Sequence, residues 1–127
     1  MNISHLDHLV LTVDDLEATT DFYTRVLGMR AVTFGQGRQA LAFGQQKINL
    51  HQAGREFEPK AGRPTPGSAD LCLIVATALD EVVAHLEREG VALVEGPVER
   101  TGATGPIRSV YVRDPDQNLI ELSQPIG

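Results

Sequence analysis

The sequence is poor in basic residues and nearly free of cysteine. Its 11 Lys and Arg residues stand against 17 Asp and Glu, so the formal net charge is −6, and there is one cysteine and no tryptophan. The acidic balance argues against a general nucleic-acid binder, which carries a basic patch or stripe. A single cysteine excludes a disulfide framework within the chain.

Long apolar runs are also missing. No stretch approaches the roughly 20 residues that cross a bilayer, and residues 1–5 lack the basic-then-apolar pattern of a signal peptide. We therefore expect a cytoplasmic protein with no membrane partner and no nucleic-acid partner. The hydrophobic residues, 42% of the chain, are enough for one compact domain over residues 1–127. Cys72 lies in an apolar run, which favours a small buried side chain.

The second half of the chain repeats the first at a constant offset. The matching pairs are His8 and Asp70 before an apolar alternating run, Gly28 and Gly90 after a helical pattern, and Ile48-Asn49-Leu50 and Ile120-Glu121-Leu122 near the end of each half. Two copies of one small unit commonly pair about a pseudo-twofold axis. Equivalent strands then bring their polar residues into a shared cleft.

Hydrophobic periodicity predicts the order βαβββ in each half. In the first half we expect strands over 6–13, 30–35, 38–44 and 47–52, with a helix that ends near Leu27. In the second half we expect strands over 70–76, 91–95, 109–113 and 119–123, a helix over 79–89 and a long loop over 96–106. The prediction is an α+β fold with two βαβββ units in tandem, over 5–57 and 69–124, joined by a Pro- and Gly-rich linker over 58–68.

Strand alternation selects the candidate site residues. With Ile48 packed under a helix, Asn49 and His51 lie on the opposite face of their strand. In the last strand Glu121 lies on the corresponding face. Across the final hairpin, Tyr111 is expected close to Glu121, with Ser109 further along.

His8, His51 and Glu121 together form a set of two histidines and one carboxylate. Such a set suits Fe(II), Mn(II), Co(II), Ni(II) or Zn(II) and leaves positions open for a chelating substrate. Each histidine could instead be an ordinary surface residue. Glu121 is harder to explain without a partner, because it lies between two apolar residues. Two interpretations of Asp70 stay open: it is either a fourth metal ligand or an exposed residue at the end of the linker.

The segment from Asp7 to Val13, the pairs Phe22-Tyr23 and Leu27-Gly28, and the hairpin that runs from Asp114 to Glu121 resemble the vicinal oxygen chelate superfamily. This superfamily includes glyoxalase I, fosfomycin-resistance and bleomycin-resistance proteins and extradiol dioxygenases. The resemblance covers about residues 5–124. Three segments are most similar to glyoxalase domain-containing protein 5 and its bacterial relatives: residues 47–51, 59–68 and 100–107.

The resemblance implies a cleft with one divalent metal ion, held by His8 on the first strand and Glu121 on the last. It also implies substrate contacts for Ser109 and Tyr111, by their match to the fosfomycin-resistance branch. Two positions depart from the pattern. A typical glyoxalase has a carboxylate where Asn49 stands, and many catalytic members have a histidine where Asp70 stands. Both residues are therefore assigned to substrate binding, and the identity of the metal stays open.

We expect a metal-dependent enzyme that acts on a small substrate with adjacent oxygens, glyoxalase-like lyase or isomerase chemistry being favoured. Glu121 and Tyr111 are the candidate catalytic residues, as base and as hydrogen-bond donor to a developing oxyanion. Two alternatives stay open: an extradiol-type ring-cleaving dioxygenase and a non-enzymatic drug-binding protein. The chain is expected to form a homodimer, with its units either swapped or unswapped between chains.

Overall fold

The computed structural model describes all 127 residues and divides into two compact units, Met1–Gly67 and Ser68–Gly127. Each unit has the order βαβββ, so the α+β class and the two tandem units are confirmed. Neither unit has a helix with the length and apolar character needed to cross a bilayer.

The first unit is a four-stranded sheet with one helical segment. Its elements are β1 (His8–Val13), α1 (Leu16–Asp21), a π-helical continuation (Phe22–Val26), β2 (Arg30–Phe34), β3 (Arg38–Phe43) and β4 (Gln46–Gln52). The strand order is β1-β4-β3-β2, in which β1 runs parallel to β4. Asp15 caps α1 by accepting a hydrogen bond from the Ala18 amide at 3.1 Å.

The helical segment covers one face of this sheet, which leaves the other face to polar residues. Tyr23 and Val26 on the helical side are buried, as are Leu11, Ile48 and Leu50 on the strands. Removal of these side chains from water is the main source of stability in a unit of this size. The period of two along β1 and β4 then turns every intervening residue to the uncovered face.

The second unit repeats this plan. Its elements are β5 (Asp70–Ile74), α2 (Leu79–Arg88), β6 (Glu95–Thr101), β7 (Pro106–Arg113) and β8 (Leu119–Pro125). The strand order is β5-β8-β7-β6, with β5 parallel to β8. Leu79, Val82 and Leu86 of α2 are buried, as the helical spacing predicts.

The strand expected over 91–95 and the loop expected over 96–106 are wrong. Strand β6 occupies Glu95–Thr101 and pairs with β7, with an irregularity in register between Glu95 and Val98. Pro97 is tolerated because β6 is an edge strand, where a missing N–H costs no ladder hydrogen bond. Gly96 is needed for close approach, since a Cβ there would lie 2.5 Å from the Ser109 carbonyl oxygen. Composition alone therefore indicates a loop where backbone packing makes a strand.

The turn between β7 and β8 is held by two buried polar side chains. Asp114 Oδ1 accepts hydrogen bonds from the amides of Asp116 and Asn118 at 2.9 and 3.0 Å, and its Oδ2 accepts from Asn118 Nδ2 at 2.8 Å. Asn118 Oδ1 in turn accepts from the Ala69 amide at 2.8 Å. These bonds connect the final hairpin to the start of β5.

We expect Asp114→Ala to lower the free energy of unfolding by about 2–4 kcal/mol, because it leaves buried donors of Asn118 without an acceptor. Gln117→Gly in the same turn is the matched control. Gln117 has a φ of +73°, which glycine adopts without strain. The free energy of unfolding of Gln117→Gly should therefore stay within about 1 kcal/mol of wild type. Urea unfolding followed by far-UV circular dichroism measures both. Equal stability of the two variants would contradict the role given to Asp114.

Candidate functional site

The uncovered face of the first sheet, which we call the first open face, carries the polar residues of that unit. The strand register places on it His8, Val10 and Thr12 of β1, Lys47, Asn49 and His51 of β4, Arg38 of β3 and Phe34 of β2. The prediction that Asn49 and His51 lie opposite Ile48 is confirmed. Both polar side chains are buried, although no helix of this unit covers them.

His8 begins β1 and keeps part of its ring in solvent. Its Nδ1 lies 2.8 Å from Asp7 Oδ1, and this hydrogen bond holds the pKa of the Asp7 carboxyl below its usual range. A carboxylate on one ring nitrogen orients a histidine and leaves Nε2 for another partner, which is the usual arrangement behind a metal ligand.

His51 has a different environment. Its ring is 3% exposed and contacts Phe57 edge to face at 5.7 Å between centroids, and its Nε2 lies 3.5 Å from Arg38 Nη2. Burial lowers the pKa of His51, and the positive charge of Arg38 lowers it further. The imidazole is therefore neutral at pH 7, with Nε2 directed at a cation.

The register separates the two histidines along the sheet. His8 pairs with Lys47, whereas His51 pairs with Thr12, so they lie four residues apart along parallel strands, roughly 13 Å. Asn49 lies between them. Its Oδ1 is buried and has no hydrogen-bond partner, which leaves an oxygen donor available midway between the two histidines.

The second open face, the side of the second sheet away from α2, is centred on Glu121. Tyr111 pairs with Glu121 on one side and Cys72 pairs with it on the other. The predicted proximity of Tyr111 and Glu121 is confirmed by this register. Asp70 also lies on this face, exposed at the start of β5 and two residues before Cys72.

A chain of hydrogen bonds ends at the Glu121 carboxylate. Ser109 Oγ donates its proton to Glu121 Oε2 at 2.6 Å. Ser123 Oγ lies 2.6 Å from Ser109 Oγ and is therefore the donor of the bond between the two serines. Cys72 Sγ lies 3.2 Å from Ser123 Oγ and completes the chain. Ser109 and Ser123 are fully buried, whereas Glu121 is only half-buried. These bonds hold Oε2 of Glu121, and the Tyr111 phenol is a further hydrogen-bond partner of the carboxylate.

Tyr111 is positioned by a second set of contacts. Its hydroxyl accepts a hydrogen bond from Arg100 Nε at 3.0 Å, and Arg100 Nη2 lies 3.3 Å from Glu95 Oε1. Desolvation raises the pKa of the Tyr111 phenol, with a further rise from Glu121 and an opposing effect of Arg100. The phenol stays protonated at neutral pH, and its hydroxyl donates to the Glu121 carboxylate.

A cavity of about 560 Å³ opens beside Glu121 in the second unit. Its remaining lining comes from β5, the β6–β7 connection and the C-terminal residues: Cys72, Ile74, Thr101 to Ile107, Pro125 and Ile126. The volume suits a small organic molecule. A carboxylate at the wall of a mostly apolar cavity can bind or deprotonate part of such a molecule.

The predicted site residues are divided between the two units. His8, Asn49 and His51 lie on the first open face, and Asp70, Ser109, Tyr111 and Glu121 lie on the second. Neither unit by itself gathers three His, Cys, Asp or Glu side chains that could hold a metal ion. The predicted metal set of His8, His51 and Glu121 therefore needs donors from both units.

Two residues of the second open face differ from the expectation or were missed. Cys72 was expected to be buried, and this is wrong, because it lies on the uncovered side of an edge strand. Ser123 was not singled out. Its position two residues after Glu121 on the same strand is the signal that points to it.

We expect Glu121→Gln to lower the thiol pKa of Cys72, because desolvation and the negative charge of Glu121 both raise it. More thiolate would then form at pH 7.5, and alkylation by iodoacetamide should accelerate by about two- to fivefold. Metal-free protein is used, and mass spectrometry reports one site because Cys72 is the only cysteine. Glu87→Gln on α2 is the charge-matched control. Equal rates for Glu121→Gln and wild type would contradict the coupling.

Known proteins share this fold over the whole chain. Residues 5–122 match the model of the Glyoxalase/Bleomycin resistance protein/Dioxygenase superfamily. The Virulence protein STM3117 of Salmonella typhimurium is 64% identical over 98% of this chain and 86% of its own length. Its crystal structure superposes with a TM-score of 0.98 and covers 99% of this chain and 100% of that chain. The Glyoxalase domain-containing protein RDO1 of Mycosarcoma maydis is 61% identical over 97% of this chain and 69% of its own length. The crystal structure of TnmS3, an antibiotic binding protein from a Streptomyces species, is 28% identical, with a TM-score of 0.77 over 99% of both chains. The chain belongs to the Glyoxalase/Bleomycin resistance protein/Dioxygenase superfamily.

Proposed function

We propose that this protein is a metal-dependent enzyme that acts on a small substrate through two adjacent oxygens, with glyoxalase-like lyase or isomerase chemistry. One observation carries the proposal. Glu121 is half-buried at the wall of a cavity of about 560 Å³, and hydrogen bonds from Ser109 and Ser123 hold its Oε2. A protein that only stores a ligand has little need for a carboxylate so positioned.

The donor types of the candidate residues suit a divalent metal such as Fe, Mn, Co, Ni or Zn. His8 has its second ring nitrogen oriented by Asp7, and Glu121 presents a carboxylate at the cavity wall. His51 remains the third candidate, but coordination through Nε2 requires Arg38 to turn away. Asn49 is the alternative, because its Oδ1 lacks a partner. Asp70 is a possible substrate contact or fourth donor.

The residues of this chain divide the remaining work. A bound metal would supply Lewis acidity at the substrate oxygens. Glu121 accepts a proton from the substrate carbon or oxygen when its carboxylate is not acting as a metal donor, and Ser109 keeps that carboxylate oriented. Tyr111 donates a hydrogen bond to the oxygen on which negative charge develops. Arg100 keeps the Tyr111 ring in place through its contact with the phenol oxygen.

Two other functions have specific support. A metal-ligand set of His8, His51 and Glu121 would suit Fe(II) and the ring cleavage of a catechol. The similarity to the antibiotic binding protein TnmS3 favours a non-enzymatic ligand-binding protein, for which the cavity lining beside Glu121 would be sufficient.

We expect His8→Ala and Glu121→Ala to weaken binding of Mn(II) and Zn(II) at least tenfold, since the other donors cannot complete the coordination. Calorimetry on His51→Ala and Asn49→Ala decides which supplies the third donor. His5→Ala is the control, because His5 is exposed, lies outside the strands and is hydrogen-bonded to Ser4. Metal affinity at the wild-type level in His8→Ala or Glu121→Ala would remove that residue from the site.

The same proteins are then assayed with each metal against α-hydroxycarbonyl adducts, epoxides and catechols, with Fe(II) handled anaerobically. We expect metal-dependent turnover that Glu121→Ala abolishes. Tight binding of an aromatic or antibiotic ligand to metal-free protein, with no turnover under any metal, would instead establish the ligand-binding function.

We also propose that the chain forms a homodimer. Strands β1 and β5 are edge strands of their sheets, and they carry Val10 and Ile74, which are 44% and 60% exposed. Exposed edges with apolar side chains are natural sites for pairing between copies.

Sedimentation equilibrium at micromolar concentration should give twice the chain mass of 13.8 kDa. Ile74→Lys should weaken the dimer at least tenfold, because it places a charge in the interface. Leu93→Lys is the control, since Leu93 is exposed outside any strand. A monomer at these concentrations would exclude the dimer.

A further inference from the structure

Two cations on the first open face stand apart from all the others. Of the 11 Lys and Arg residues, only Arg38 and Lys47 are half-buried, and the other nine are exposed. Neither Arg38 nor Lys47 forms an ion pair, although the chain carries 17 acidic residues. A cation withdrawn from water without a counter-ion is costly, so this pair needs a compensating partner.

Aromatic rings provide part of that compensation. Lys47 Nζ lies 3.8 Å from the Phe34 ring centroid, and Arg38 Cζ lies 5.4 Å from the same centroid. Arg38 also lies 4.7 Å from the Phe57 centroid. Ring faces attract cations but do not neutralise them, so both charges remain available to an anion.

The acidic side chains around this cluster already have partners. Asp7, whose charge interacts with Lys47, is hydrogen-bonded to His8 Nδ1 at 2.8 Å. Glu56 and Glu58 both pair with Lys60, at 3.6 and 3.3 Å, and Glu56 also accepts a hydrogen bond from the Gly54 amide at 2.8 Å. The only polar side chain that contacts the Arg38 guanidinium is the ring of His51, at 3.5 Å.

We propose that Arg38 and Lys47 bind an oxyanion group of the substrate, a carboxylate or a phosphonate, on the first open face. The guanidinium fork can hold two oxygens of such a group, and the Lys47 ammonium adds a point charge 3.8 Å from the centroid of the same Phe34 ring. This anion site rests on the proposed function, since the substrate would carry an anionic group in addition to its two chelating oxygens. Arg38 and Lys47 would then act in specificity, without a part in proton transfer.

The test uses the whole chain, freed of metal on a chelating resin and kept without soluble chelator, since chelators are themselves carboxylates. Calorimetry follows the binding of succinate, methylphosphonate and inorganic phosphate at constant chloride, with uncharged succinamide as the ligand control. The variants are Arg38→Gln and Lys47→Gln, whose shortened stems still cover Phe34, and Arg38→Lys, which keeps the charge but loses the fork. Arg63→Ala, an exposed arginine of the linker, is the charge-matched control.

We expect wild type and Arg63→Ala to bind at least one anion while succinamide does not bind. Arg38→Gln and Lys47→Gln should lose at least tenfold in affinity at an unchanged melting temperature. If Arg38→Lys loses more affinity for succinate than for methylphosphonate, a carboxylate is the preferred group. If it loses more affinity for methylphosphonate, a phosphonate is the preferred group. No anion binding by wild type, or equal losses in Arg63→Ala and Arg38→Gln, would overturn the proposal.

Metal titration of the same variants separates this inference from the proposed function. Neither Arg38→Gln nor Lys47→Gln should lower Mn(II) affinity, because neither residue is a metal donor and each change removes a positive charge from the face that carries His8 and His51. Loss of anion binding with intact metal binding supports the anion site. Anion binding that survives in a protein shown to bind no metal would support this site while contradicting the metal proposal.

Discussion

The parallel pairing of the first and last strands in each unit is the constraint on which both candidate faces depend. A parallel pair needs a crossover connection, and here the first helix and two further strands lie between the paired elements. The helical segment covers one side of the sheet, and the other side is left for polar residues. The same pairing places Asn49 next to β1 and Cys72 directly beside Glu121.

Alternation within strands predicts much of this arrangement from the sequence. The period of two separates Asn49 and His51 from Ile48, and the turn signal at Asp114 fixes the register that brings Tyr111 opposite Glu121. The edge strand β6 was missed because Gly96 and Pro97 indicate a loop, and no local pattern reports the close approach to β7. The exposure of Cys72 was missed for a related reason. An apolar run cannot show that its strand lies at the edge of a sheet.

The roles of individual polar residues are less visible in the sequence than their faces. Nothing in the spacing shows that Ser109 and Ser123 form a hydrogen-bonded chain to Glu121, since this depends on strand register across two pairs. Nor does spacing show that Arg38 lies beside His51, thirteen positions further along the chain. Those contacts arise from the antiparallel pairing of β3 with β4, which places Arg38 near the end of β4 that carries His51.

The charges along the first open face argue for two zones with different chemistry. At the His8 end, the Asp7 carboxylate on Nδ1 favours a cation on Nε2. Lys47 pairs with His8 in the register, but its ammonium lies on the ring of Phe34, which pairs with Arg38. At the His51 end, the Arg38 guanidinium repels a cation and attracts an anion. A metal ion and Arg38 placed on the same imidazole nitrogen would work against each other. Because His8 and His51 are separated along the strands, one sheet can present a metal donor and an anion contact without that conflict. Asn49 is therefore better placed than His51 to bind a metal held by His8.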